Sequence, residues 1–126
     1  MEKIFQVPAG QEGKSSQQVL AEGTVLLKNR HLVISAEVAD NAFGDEIQVY
    51  VVYYAQSGML IMAPMSDITF KQAHDCSLVM LKTRNLRGDR SLSMEEILID
   101  NDLDKTDRNL QANGAPGLKM LQVFLR

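Results

Sequence analysis

Two short runs hold the side chains best suited to chemistry: Lys28-Asn-Arg-His31 and Lys82-Thr-Arg-Asn-Leu-Arg-Gly-Asp-Arg90. Each gathers ammonium or guanidinium groups within one turn, the local charge density that phosphate binding requires. The first run carries +2 and the second +3, so the rest of this 126-residue chain carries −8 within a total of −3. Charge is therefore segregated along the chain. Lys28, Arg30, His31, Lys82, Arg84, Arg87 and Arg90 are the candidate nucleic-acid contacts. Their cations would bind phosphates, which set affinity and register, while Asn29, His31 or Asn85 would reach base edges. A purely structural role is the competing expectation, since Lys and Arg at hairpin tips also shield strand ends from association.

Other reactive groupings do not reach a working constellation. Asp100-Asn-Asp-Leu-Asp104 places oxygen ligands at alternating positions, but Lys105 stands where a calcium loop needs Gly, and Gln111 where it needs a bidentate Glu. A solvated acidic helix end is expected there instead. His74-Asp-Cys76 unites three reactive types, yet chain neighbours point in different directions and no motif supplies a base or an oxyanion hole. Cys76 is expected to be a small buried residue. Arg87-Gly-Asp89 reads as turn chemistry, with Gly for positive φ and Asp for local hydrogen bonds. No G-x-G-x-x-G, phosphate-binding loop or G-x-S-x-G occurs, and His31 and His74 lack ligand spacing. The expectation is a non-enzymatic protein with no cofactor and no metal.

The elements that position the basic runs follow from periodicity. Thr24-Val-Leu-Leu27 is an apolar strand entering the first run, and Leu32-Val-Ile34 leaves it. Ser35 then predicts a cap for a short helix over Ala36–Phe43, stopped by Gly44. Ile47 to Tyr54 alternates strictly, with Ile47, Val49, Val51 and Tyr53 on one face; Ala55-Gln-Ser-Gly58 connects it to a returning strand, Met59–Pro64. Over Met65–Cys76 two readings compete: Ile68-Thr-Phe-Lys71 alternates like a strand, while Ser66-Asp67 can cap a short helix holding Ile68 and Ala73, and the helix is the expectation. Leu78–Leu81 is a strand leading into the second basic run, and Ser93-Met-Glu-Glu96 matches a capping box that would bury Met94, Ile97 and Leu98. After a turn cluster at Asn113–Gly117, Leu118–Leu125 is a terminal strand that must be paired. Met59, Met62, Met80 and Met120 are expected to fill the core.

Composition bounds the rest. A chain that is 45% hydrophobic and 23% charged fits one globular domain, and its single cysteine excludes an internal disulfide framework. Lys3–Pro8 reads as a short N-terminal strand and Gly10–Gln18 as a flexible connector, giving residues 1–18 ahead of a domain over 19–126. With no signal-like or membrane-spanning run, a cytoplasmic location is expected.

The chain also repeats itself. Val25-Leu-Leu-Lys-Asn-Arg-His-Leu32 lies on Val79-Met-Leu-Lys-Thr-Arg-Asn-Leu86 with five identities in eight positions, and Ile34-Ser-Ala-Glu37 lies on Leu92-Ser-Met-Glu95 after a four-residue insertion. The predicted fold is thus α+β and β-rich: two pseudo-repeated strand-turn-strand-helix-strand halves, about 19–64 and 77–125, forming a small barrel or an interlocked hairpin domain. A pseudo-twofold between the halves would set both basic turns on one side.

This unit resembles the AbrB-like swapped-hairpin family of small regulators, especially its two-copy MraZ-type members. Arg30-His-Leu-Val-Ile-Ser-Ala-Glu-Val38 occupies the family's Gly-Arg-Val-x-Ile-Pro-x-Glu-Leu signature, and Val49 to Pro64 resembles the hairpin that follows it. Arg30 replaces the turn Gly, His31 the Arg and Ser35 the Pro, and the Asp ahead of the turn in two-copy members is missing. In the second half, Gly88-Asp-Arg-Ser-Leu-Ser93 stands at the signature, with no clear hairpin after it. The resemblance implies a dimeric, DNA-binding regulator. The alternative is an interaction or assembly module of the same fold that no longer touches DNA and uses a Tyr50 and Tyr54 face or an unpaired edge near the C-terminus.

Overall fold

A computed structural model describes residues 23–114 and 119–125; the expected N-terminal strand and connector, and most of the 113–117 turn cluster, lie outside these residues. The described chain runs β1 (Val25–Lys28), β2 (His31–Ile34), α1 (Ala36–Phe43), β3 (Gln48–Tyr54), β4 (Met59–Pro64), α2 (Ile68–Ala73), β5 (Ser77–Met80), β6 (Lys82–Thr83), β7 (Arg90–Ser93), α3 (Glu95–Asp100), β8 (Arg108–Asn109), β9 (Gln111–Gly114) and β10 (Leu121–Phe124). All strand pairs are antiparallel and form two five-stranded sheets, ordered β6-β7-β2-β1-β8 and β5-β3-β4-β10-β9. The α+β, β-rich expectation holds. The barrel does not, because each sheet ends in two edge strands among the described residues and neither closes on itself.

Alternation explains how two sheets share one core. In β1, Val25 and Leu27 point inward, as do Leu32 and Ile34 in β2 and Leu92 in β7; from the second sheet come Val49, Val51, Leu60, Met62, Leu121 and Val123. Ala39, Ala42 and Phe43 of α1 and Leu98 of α3 join the cluster, with Leu81, Met94, Leu103 and Leu125 from the connecting segments. Each such side chain contributes about 1.5–3 kcal/mol relative to exposure. The terminal strand β10 is not an edge: β4 pairs with one side and β9 with the other, both antiparallel.

On the far side of the second sheet, α2 lies over Tyr50 and Ala63 through Phe70. The Asp67 side chain caps this helix by accepting from the Phe70 N–H at 2.9 Å. Phe70 is its buried residue, while Ile68 and Ala73 face solvent. Tyr50 is therefore covered, and only Tyr54 of the expected tyrosine face remains open, its hydroxyl bonded to His74. Met62 is a core residue as expected, but Met80 is 56% exposed because it falls on the outward side of an edge strand.

Candidate nucleic-acid interface

The first basic run is a two-residue turn. Lys28 pairs directly with His31, leaving Asn29 and Arg30 to close the hairpin with φ of 50° and 63°. That left-handed pair matches the twist of the flanking strands and ordinarily selects Asn-Gly. The turn is tied to distant residues: the Asn29 N–H donates to Asp107 Oδ1 at 2.8 Å, and the Met94 N–H donates to the Arg30 carbonyl at 2.9 Å. The Arg30 guanidinium meets Glu95 Oε2 at 3.3 Å, with both side chains about half exposed.

The second run is built differently. Between β6 and β7, Arg84–Asp89 forms a loop organised around the Asn85 side chain. Its Oδ1 accepts from the N–H groups of Arg87, Gly88 and Asp89 at 3.1, 3.2 and 3.3 Å. Gly88 takes φ of 105°, a backbone that only glycine adopts without strain. Asp89 is fully buried; one carboxylate oxygen accepts from the Ala36 N–H at 2.8 Å and the other from Asn85 Nδ2 at 2.9 Å. Asp89 thus supplies the side-chain cap of α1. The sequence assigns that role to Ser35, but the Ser35 side chain makes no capping bond.

At α3, the Ser93 box is likewise not formed. Ser93 is held in β7 opposite His31, Met94 occupies the cap position, and Ser93 Oγ accepts only a long 3.4 Å bond from the Glu95 N–H. Arg87 pairs with Glu37 in the first turn of α1. That hydrogen bond, the largest influence on it, holds the Glu37 carboxyl below the usual glutamate range.

The two runs do not form one continuous patch. In the central β2·β7 pair, His31 lies opposite Ser93 and Ile34 opposite Arg90, so the turn and the loop project from opposite ends. Five residue rises separate Arg30 from the position opposite Asp89, or about 17 Å. An antiparallel pair puts equivalent connections at opposite ends, which overturns the expectation of a shared side.

Alternation does gather a different subset. Opposite the core face of the first sheet, one row runs Ser93, His31, Lys28 and the next runs Lys82, Ser91, Val33, Leu26, Asn109. Lys28 and Lys82 are exposed and His31 is half-buried, whereas Val33 and Ser91 at the centre are buried. Three strand spacings, about 14 Å, separate the strands bearing the two lysines, close to four base-pair rises of about 3.4 Å. The His31 Nδ1 donates to the Asn29 carbonyl at 2.9 Å, so in this tautomer Nε2 is the ring nitrogen that can accept a hydrogen bond.

The predicted residues thus divide. Lys28, His31 and Lys82 share this face, and Arg84 follows Lys82 at its margin. Among the described residues no carboxylate pairs with Lys28, Lys82 or Arg84. Arg30 and Arg87 are engaged by Glu95 and Glu37, and Arg90 donates to Thr83 Oγ1 at 2.8 Å on the core-facing register. Sequence reasoning missed Ser93 and Asn109, polar residues that strand alternation places on the face. It also missed Leu86, fully exposed in the loop between Arg84 and Arg87. Among the described residues no helix is long and apolar enough to cross a membrane. Compared with known proteins, the chain matches no family model, no curated protein and no solved structure.

Proposed function

We propose that this protein is a non-enzymatic nucleic-acid-binding protein whose contact surface is the exposed margin of the outer face of its first sheet, around the buried Val33 and Ser91. The observation that carries this reading is the placement of Lys28, His31 and Lys82 on one sheet face, with neither lysine paired to a carboxylate among the described residues. Lys28, Lys82 and Arg84 would neutralise phosphates. His31, Asn109 and Ser93 would supply shorter-range hydrogen bonds. The acidic remainder of the chain confines contact to this footprint, because repulsion decays over a Debye length of about 8 Å.

The two-unit, swapped-hairpin reading is part of the same proposal. Each sheet sets a hairpin of the first half beside one of the second: β1-β2 beside β7-β6, and β3-β4 beside β10-β9. The helices follow the same exchange. Arg30 of the first half pairs with Glu95 at the start of α3, and Arg87 of the second half with Glu37 at the start of α1. The register also adjusts the repeat. Lys82 lies opposite Ser91, and Ser91 opposite Val33, whose hairpin partner is Leu26. If Ser91 is taken as the equivalent of Val33, as the Ile34–Leu92 alignment has it, Lys82 would correspond to Leu26, two positions from the Lys28 match that the letters suggest. Arg30, at the signature's Gly, holds the left-handed backbone for which Gly is suited.

Binding to random-sequence duplex DNA tests the function. Affinity should fall linearly on logarithmic salt axes, and Lys28→Ala with Lys82→Ala should reduce that slope by about 2, roughly one for each phosphate no longer neutralised. Absence of binding at low salt would refute the proposal, as would a slope unchanged by both substitutions.

A further inference from the structure

The four sheet edges differ in how they are protected. In the first sheet the edges β6 and β8 are two residues long and carry Lys82 and Arg108. In the second, β9 is Gln-Ala-Asn-Gly, polar and weakened by its glycine. The fourth edge, β5, has none of these features. It is Ser-Leu-Val-Met, without charge, Pro or Gly, and Leu78 and Met80 are 49% and 56% exposed. Such an edge is a template for strand addition.

The register shows which groups are offered. Gln48 lies opposite Met80 and Val49 opposite Val79. Continuing that register, the Leu81 N–H donates to the Ile47 carbonyl at 2.6 Å. Hydrogen-bonded pairs alternate along an antiparallel ladder, so Val79 and Ser77 bond to β3 while the N–H and C=O of Leu78 and Met80 point away from it. Among the described residues no strand pairs with that outer side.

We propose that β5 is the dimer interface of this protein, occupied by β5 of a second copy in antiparallel register about Val79. In that register the N–H and C=O of Leu78 bond reciprocally with those of the partner copy's Met80, so a twofold closes the ladder. The outward side chains of Leu78 and Met80 from both copies then form one apolar row. Charge selects the same orientation. Asp75 precedes the strand and Lys82 follows it, so antiparallel self-pairing brings unlike ends together and parallel pairing would bring like ends together. The interface is isologous and uses up the edge, which stops growth at two copies. The strand pairing itself stands apart from nucleic-acid binding: β5 belongs to the second sheet, Lys82 adds only charge at its end, and the pairing can be measured without DNA.

Light scattering on the full-length protein should give twice the 14.0 kDa of one chain. Met80→Lys should give a monomer with an unchanged circular dichroism spectrum, because the side chain it replaces is already exposed. A Val79→Cys, Cys76→Ser double variant should oxidise to a covalent dimer, since residues facing each other in a non-hydrogen-bonded pair have Cα atoms about 4.5 Å apart, within disulfide range. A monomeric wild-type protein would overturn the proposal. So would a dimer that survives Met80→Lys, or one that fails to cross-link at position 79.

Discussion

The β1–β2 turn and the β6–β7 loop occupy matching places at opposite ends of one strand pair, yet they hold their shape by different means. The turn depends on two left-handed residues in succession, with no buried side chain of its own, and is held from outside by Asp107 and the Met94 N–H. The loop depends on side chains: Asn85 gathers three N–H groups, and buried Asp89 fastens the loop to the N-terminus of α1. Both then present an arginine to a glutamate of the other half's helix. The same ion-pair arrangement thus sits on supports of different kinds. A tight turn can be specified by two dihedral preferences, whereas a longer loop needs interior hydrogen bonds to offset its ordering entropy.

That contrast is open to direct attack, beginning at the loop. Asp89→Ala leaves the Ala36 N–H and the Asn85 amide without their buried acceptor, and should lower unfolding free energy by about 3 kcal/mol in denaturant titrations. A loss below about 1 kcal/mol would show that the loop is held by something else. In the turn, Asn29→Ala should cost about 1 kcal/mol, because alanine lacks asparagine's tolerance of the left-handed region, while Asn29→Gly should be close to neutral. If the two variants are equally destabilised, the Asn29 side chain matters more than its backbone angle.

The smallest expected effect belongs to Arg87→Ala. Glu37 has a depressed carboxyl pKa in the folded protein, so its pairing stabilises above the ordinary glutamate range and that contribution disappears as pH falls through the folded value. The difference between wild type and Arg87→Ala should therefore be present at neutral pH and vanish in acid. A difference that persists in acid would assign Arg87 a role other than its pairing with Glu37.

Much of the fold was legible where the determinants are local. The boundaries of α1 followed from its flanking Ser and Gly, and those of β4 from the turn before it and Pro64 at its end. Asp67 before Ile68 announced α2, although the face it buries could not be read, since that depends on Phe70 meeting Tyr50 across the sheet. The pairing of β9 with β10 was obscured because β9 carries Gln-Ala-Asn-Gly, which lacks the alternating apolar signal of β3. The site was legible as a set of residue types. Its grouping was not, because Lys28 and Lys82 come together only through β2 and β7.

Taken alone, the amino-acid order determined the α+β class, the turn chemistry at Gly44 and Gly88, and the segregation of charge into two runs, all properties of neighbours in the chain. Tertiary structure decided that Asp89 caps a helix beginning fifty-three residues earlier, that two arginines are engaged by glutamates of opposite halves, and that the turn and the loop of the basic runs lie at opposite ends of one strand pair while Lys28, His31 and Lys82 share a sheet face. The physical reason is the range of the forces involved. Dihedral preference and periodicity act within a few residues, whereas strand pairing and burial depend on which distant segment arrives alongside.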